Sequence, residues 1–358
     1  MLYAGIAWDA GGYEIEVVDG SGAPAAPRAR FGADRIADLV GHLRGLGQER
    51  LVIVVESTNG ILDGRLMAAG LRVFRADPPL LPSRPVFGSA PAAAIARAAA
   101  GAPSALARLV RTRGTQTGRE PELEAWIAGT TSEVARLTAD GLLVSHGGRD
   151  RKEIALTFDD GPQPGNTERV LDVLERYGVP ATFFCVGMNA RAHPDILTRT
   201  REQGHGFGNH TWSHPFLPEL TRSQLTEQIE RTQEAIAEAS GGPAPTLFRP
   251  PYGARTPEVL GRLAESGLTT ALWDVVPDDW SMPGTDTVAR VVLDQARPGS
   301  VVLLHDGGGD RSQTVDALPV MIEGLLERGY RFTRLDAMTA STDDTDRQAP
   351  AAVTSSVA

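Results

Sequence analysis

The sequence predicts an α/β protein in which a TIM-like barrel of about seven β-α units follows a smaller α/β domain. Two observations predict the barrel. From Ile154 onward, short apolar runs alternate with amphipathic stretches, and repeated β-α units imply a parallel sheet covered on both faces. The strand candidates are IALTF (154–158), ATFFCV (181–186), GFGNH (206–210), TLFRP (246–250), TTALWDV (269–275), SVVLLH (300–305) and YRFTRL (330–335). Helix candidates between them include 168–177, 224–239, 257–266, 288–296 and 315–327, and seven such units suit a closed barrel. The second observation is that polar residues gather at the C-terminal ends of these strands, where the βα loops of a barrel converge.

The smaller domain rests on a different order of elements. Residues 2–8 and 13–19 read as a hairpin about Gly11-Gly12. Ile36, Leu39, Val40 and Leu43 recur at helical spacing within Ala33–Leu46. An apolar strand, LVIVVES, carries Glu56 at its end; a short helix at 62–69 and the strand LRVFRAD (71–77) follow. From Pro78 to about Ala107, Pro and Ala dominate and the periodicity dissolves. A helix is expected over Glu120–Leu137, and GLLVSHGGRDRK (141–152) reads as a junction. The expected division is therefore 1–140 for the first domain with its Ala/Pro-rich and helical extension, 141–152 for a linker, 153–340 for the barrel and 341–358 for a disordered tail poor in apolar residues.

Composition excludes some classes. The net charge is −10 over 358 residues, so backbone-driven nucleic-acid binding has little support. Lys152 is the only lysine, and the single cysteine, Cys185, rules out an intramolecular disulfide. Its apolar setting, ATFFCVG, predicts a buried thiol. No apolar stretch approaches the ~18–20 residues needed to span a bilayer. Neither a basic start nor a long apolar run follows Met1, so a cytoplasmic protein is expected. The sequence is silent on oligomeric state.

Four polar clusters follow the barrel strands in order: Asp159-Asp160-Gly161, His210-Thr-Trp-Ser-His214, Arg249-Pro-Pro-Tyr252-Gly253 and Leu303-Leu304-His305-Asp306. Each has an ordinary explanation alone, because Asp-Gly-Pro is turn chemistry and a lone strand-end histidine is usually a core residue. Their joint occurrence at successive strand ends points to chemistry. Two histidines with a carboxylate make a metal site that leaves positions open for water and substrate.

Residues 153–335 closely resemble the polysaccharide deacetylase domain, also called the NodB homology domain or carbohydrate esterase family 4. The similar motifs are TFDDGP (157–162), NHTWSH (209–214), FRPPYG (248–253), LWDVVPDDW (272–280) and VVLLHD (301–306). The resemblance implies a distorted (β/α)7 barrel and hydrolysis of N-acetyl groups on an amino sugar or polysaccharide, of the chitin-oligosaccharide or peptidoglycan type. It implies a divalent ion, usually zinc though Co2+, Ni2+ or Mn2+ also occur, held by Asp160, His210 and His214. Asp159 is the implied base, Arg249 the group that orients it, the Tyr252 backbone N–H part of the oxyanion hole, and His305 the acid. Trp280 and Leu303 are implied to form the acetyl pocket. One position departs from the family pattern. Val276 stands where the fourth motif carries its first acidic residue, which predicts a lowered His305 pKa unless Asp274 or Asp278 substitutes.

Residues 2–77 resemble, more faintly, the RNase-H-like domain of insertion-sequence transposases. Its essential Asp is Ala7 here, although Glu56 and Asp9 remain, and a two-metal nuclease site cannot be built from what is left. Beside the N-deacetylase reading stand two others: a deacylase of O-acetyl xylan or a non-sugar amide, and a catalytically impaired barrel that binds carbohydrate.

Overall fold

The computed structural model describes residues 1–58, 60–110 and 120–340; the expected tail lies outside them. The chain divides into two compact units, Met1–Gly118 with Ser213–Gln228, and Arg119–Trp212 with Ile229–Ala358.

The first unit contains the expected succession with one short strand, β3, added to it: β1 (Leu2–Asp9), β2 (Gly12–Asp19), β3 (Ala29–Phe31), α1 (Ile36–Gly45), β4 (Leu51–Glu56), α2 (Gly60–Ala68) and β5 (Val73–Ala76). It adds two elements to the Ala/Pro-rich stretch, α3 (Ala92–Gly101) and β6 (Ala107–Arg108). The sheet order is β3-β2-β1-β4-β5-β6, with β1 antiparallel to β2 and parallel to β4. With Ile95 as its one large apolar side chain, α3 leaves no periodicity in the sequence. Ala92, Ile95, Ala96 and Ala99 are the face it buries, packed with Tyr3, Ala7, Val18 and Val54. Ala-rich helices pack closely, and here the contact is backbone on backbone. A Cβ added at Gly5 of β1 comes within 2.3 Å of the Ala92 carbonyl oxygen and 2.5 Å of the Ala96 nitrogen.

The second unit begins with α4 (Glu120–Ala128) and α5 (Thr131–Ala139), which replace the single helix expected over 120–137; Gly129-Thr130 interrupts it. The junction at 141–152 is also not a simple linker. It supplies β7 (Leu143–Val144), which pairs in parallel with a barrel strand, because Leu143 and Leu137 bury themselves with Leu260 and Leu272. The β-α alternation then follows: β8 (Glu153–Asp159), α6 (Thr167–Tyr177), β9 (Thr182–Cys185), α7 (Gly187–Ala192), α8 (Pro194–Glu202), β10 (Gly206–Asn209), α9 (Arg222–Ser240), β11 (Leu247–Phe248), α10 (Pro257–Glu265), β12 (Thr269–Ala271), α11 (Thr285–Gln295), β13 (Ser300–His305), α12 (Ser312–Glu327), β14 (Arg331–Phe332) and α13 (Leu335–Ala340).

The sheet runs β13-β8-β9-β10-β11-β12-β7, with β14 beside β8. It curls into a distorted (β/α)7-type barrel. Isolated bridges His146↔Ser300 and Val275↔Val302 join β13 to the far end. All seven residues of β8 are buried, as expected for a central strand covered on both faces. Strand alternation puts Ala155, Thr157 and Asp159 on one face. Ala155 packs there with Phe184, Leu247, Ala271 and Val301. No helix among the described residues is long and apolar enough to cross a membrane.

Gly5→Ala drives a methyl group into α3, and overpacking of this kind costs about 1–3 kcal/mol. Hydrogen exchange of the β1 and β4 amides is expected to quicken by about tenfold to a hundredfold, with the β8 and β13 amides unchanged.

Candidate metal centre and catalytic cluster

Register places the chemistry. β8 and β13 are parallel neighbours in which Asp159 pairs with His305, Thr157 with Leu303 and Ala155 with Val301. The two strands therefore end together, and the expected base and acid leave adjacent strands at the same level. β10 ends at Asn209, so His210 emerges at the corresponding exit two strands away.

Asp160, His210 and His214 each offer a ligand atom, and these atoms lie within 4.8 Å of one another. All three residues are buried. The donor set fits a divalent ion. His210 donates Nδ1–H to the Arg249 carbonyl oxygen at 2.7 Å, which leaves its Nε2 as the lone-pair nitrogen. That Nε2 faces Asp160 Oδ1 at 3.6 Å and Asp159 Oδ2 at 3.7 Å. Fixing one ring nitrogen by a backbone acceptor is how metal-binding histidines are oriented.

The backbone at these strand exits is unusual. Asp160, Thr211, His214 and Tyr252 have φ of 75°, 66°, 62° and 58°, left-handed values that non-glycine residues rarely adopt. Such conformations persist where the surroundings impose them, typically at functional sites. Asn209 supplies part of that restraint by accepting from the Thr211 N–H at 2.9 Å while donating to the Ile229 carbonyl. Gly161 is required sterically, since a Cβ there meets Asp306 Oδ2 at 2.0 Å.

Arg249 is fully buried and binds several groups at once. Nη1 donates to Asp159 Oδ1 at 2.7 Å and to Thr157 Oγ1 at 2.8 Å. Nε and Nη2 donate to the Ala271 and Leu272 carbonyls, and the guanidinium lies 4.0 Å over the Phe184 ring. Burial pulls the Arg249 pKa below its ordinary value, and the Asp159 charge opposes that.

On β13, His305 Nδ1 donates to Asp279 Oδ1 at 2.7 Å, and the His305 backbone N–H donates to Asp279 Oδ2. Thr314 donates to the same Oδ2. Burial alone lowers the His305 pKa, but the Asp279 charge and hydrogen bond outweigh it, and the net direction is upward. Burial correspondingly raises Asp279, yet His305, Arg311 and Thr314 bring it below the carboxylate range. The rise is relative to a free imidazole, and it arises without an acidic residue at Val276. The carboxylate on the imidazole is Asp279 of the fourth motif, rather than Asp274 or Asp278. Asp274 is instead engaged by Arg149, Ser300 and the Val301 N–H.

Trp280 and Leu303 are both buried. Leu303 shares the face of β13 that bears His305, and Trp280 follows Asp279 in a short 3-10 turn. Cys185 is buried as expected, and burial raises its thiol pKa well above the usual range. Two groups have no role in the sequence reading: Asp279 stands there only as a retained residue of the fourth motif, and Asp306 only as the residue after His305. Asp306 Oδ2 accepts from Thr167 at 2.6 Å. Burial pushes Asp306 up to about 7, the Thr167 bond opposing and the Asp160 and Asp159 charges adding to the rise. Its place directly after His305 was the available signal.

The polysaccharide deacetylase family model matches residues 146–271. A chitooligosaccharide deacetylase of Rhizobium leguminosarum bv. trifolii is 41% identical over 199 residues, covering 52% of this chain and 92% of that protein. A peptidoglycan-N-acetylglucosamine deacetylase of Bacillus cereus is 38% identical over 191 residues, covering 53% and 89%. The crystal structure of the Bc1960 peptidoglycan N-acetylglucosamine deacetylase, in complex with an N-hydroxybenzamide compound, matches with a TM-score of 0.56 and 36% identity. That match covers 58% of this chain and 98% of that one.

Asp279→Asn removes the carboxylate that raises His305 while leaving burial, which lowers it. The His305 pKa therefore falls. The alkaline limb of the kcat–pH profile, which reports loss of the acid's proton, is expected to move to lower pH; an unmoved limb counts against the pair.

Proposed function

This chain belongs to the polysaccharide deacetylase family, and we propose that it removes N-acetyl groups from N-acetylglucosamine-type sugars with Zn2+ held by Asp160, His210 and His214. The observation that carries this reading is the three-ligand cluster with the Asp159–Arg249 and His305–Asp279 pairs leaving adjacent strands beside it. A divalent ion held by these three residues would supply Lewis acidity to the acetyl carbonyl and would lower the pKa of water toward ~7.

The protein's own groups divide the remaining work. Asp159 takes a proton from the attacking water, its position fixed by Arg249 Nη1. The Tyr252 N–H, presented by a left-handed residue, stabilises the oxyanion of the tetrahedral intermediate. His305 gives the proton on its Nε2 to the departing sugar amine, while Asp279 holds Nδ1 and so sets the tautomer. Trp280 and Leu303 close around the acetyl methyl. Asp306 packs against Gly161 and supports the turn that presents Asp160. Chitin oligosaccharides and peptidoglycan amino sugars are the substrate classes of the relatives described above, and both bear the N-acetyl group this arrangement cleaves.

Purified protein is expected to release acetate from N-acetylglucosamine oligomers, to lose that activity with a chelator and to regain it with Zn2+. Asp159→Asn is expected to lower kcat by about 10²–10⁴-fold with full metal stoichiometry, whereas His214→Ala loses the metal itself. Metal binding with no acetate from any sugar redirects the reading to an O-acetyl ester or a non-sugar amide. A protein that binds no divalent ion overturns it.

A further inference from the structure

Beyond the Asp279–His305 pair lies a buried cation that the mechanism above does not use. Arg311 is 1% exposed and forms no ion pair with a carboxylate among the described residues. Its hydrogen bonds go to backbone carbonyls. Nε donates to Gly307 at 2.7 Å, and Nη1 donates to Trp280 at 3.4 Å and Asp310 at 3.3 Å. Burying a guanidinium is costly unless its donors are satisfied, so their targets are informative. Trp280 immediately follows Asp279, and Gly307 lies two residues after His305. One planar fork thus bridges the backbone segments that bear the two members of the pair. Its charge also reaches both, favouring the Asp279 carboxylate and opposing the His305 imidazolium.

We propose that Arg311 is a positioning residue for proton donation: its guanidinium clamps the Asp279–Trp280 turn to the exit of β13 and so fixes the His305 imidazole on the leaving nitrogen. The proposal rests on His305 acting as the acid. In that step the C–N bond breaks with its electron pair going to nitrogen. Nitrogen takes the proton from His305 Nε2, and the acetyl carbon leaves as acetate with the oxygen supplied by water. Slack in the clamp leaves water attack intact and slows only the proton delivery.

This separation is measurable, because an amine leaving group needs the proton and a nitrophenolate does not. Lys keeps the charge of Arg311 but lacks the planar two-way fork. R311K is therefore expected to lose on the order of tenfold or more in kcat on N-acetylglucosamine oligomers and less than about twofold on 4-nitrophenyl acetate, with zinc content equal to that of the parent protein. His305→Asn is the control and is expected to show the same split, more steeply. A split in His305→Asn with none in R311K overturns the clamp alone. No split in His305→Asn overturns the acid assignment on which the clamp rests. If R311K does not retain zinc, R311Q is measured by the same ratio of substrates. Equal losses on both substrates, or loss of zinc from both variants, makes Arg311 a folding residue and overturns the proposal.

Discussion

The site depends on one buried guanidinium, that of Arg249. It crosses the inside of the barrel from β11 to bind Asp159 and Thr157 of β8 and the carbonyls that close β12. Its own carbonyl accepts from His210. Side chain and main chain of a single residue therefore fix both the Asp159 carboxylate and the His210 imidazole of the candidate metal site. A buried ion pair is weak evidence for stability, since desolvation offsets much of the attraction. Breaking it is a different matter, because the remaining partner is left buried and charged. Such a pair serves geometry, and here the geometry is that of the Asp159 carboxylate 3.7 Å from His210 Nε2.

Around that anchor the strand exits show a common device. Three motifs each contain a non-glycine residue in left-handed backbone, and the chain turns there at the exits of β8, β10 and β11. Local hydrogen bonds and close contacts hold these turns, as Asn209 does for Thr211 and as the fit of Gly161 to Asp306 does for Asp160. The His305 side of the cluster is built differently. His305 needs no unusual backbone, and its orientation comes from Asp279, which binds both its ring and its main-chain N–H.

Much of this was legible in the sequence because strand periodicity and motif order are local signals. Runs such as IALTF and SVVLLH marked β8 and β13, and the polar clusters that follow them put Asp159 and His305 at strand ends. His210 and His214 with a strand-end carboxylate were readable from residue type and order, and the family resemblance named Asp160 as the third member of the candidate triad. What failed was anything decided by a turn. In DVVPDDW three aspartates lie within six positions, and spacing cannot say which one meets His305; it is Asp279, directly after the left-handed Asp278. Arg311 carried no pattern at all, since its partners are backbone carbonyls. α3 was overlooked because alanine packing against Gly5 leaves only Ile95 as a large apolar residue, and β7 because two residues give no period.

The shared level of Asp159 and His305 also bears on how such a chain can diverge. In-register parallel pairing makes these two side chains a matched couple, and a one-residue shift of either strand turns its side chain to the opposite face of the sheet. Insertions and deletions are consequently barred from β8 and β13, while the stretches at the other end of the barrel, such as the α6–β9 and α12–β14 connections, are free to lengthen. Variation among descendants of this barrel is channelled into loop size and helix surface, with the lengths of two neighbouring strands held constant.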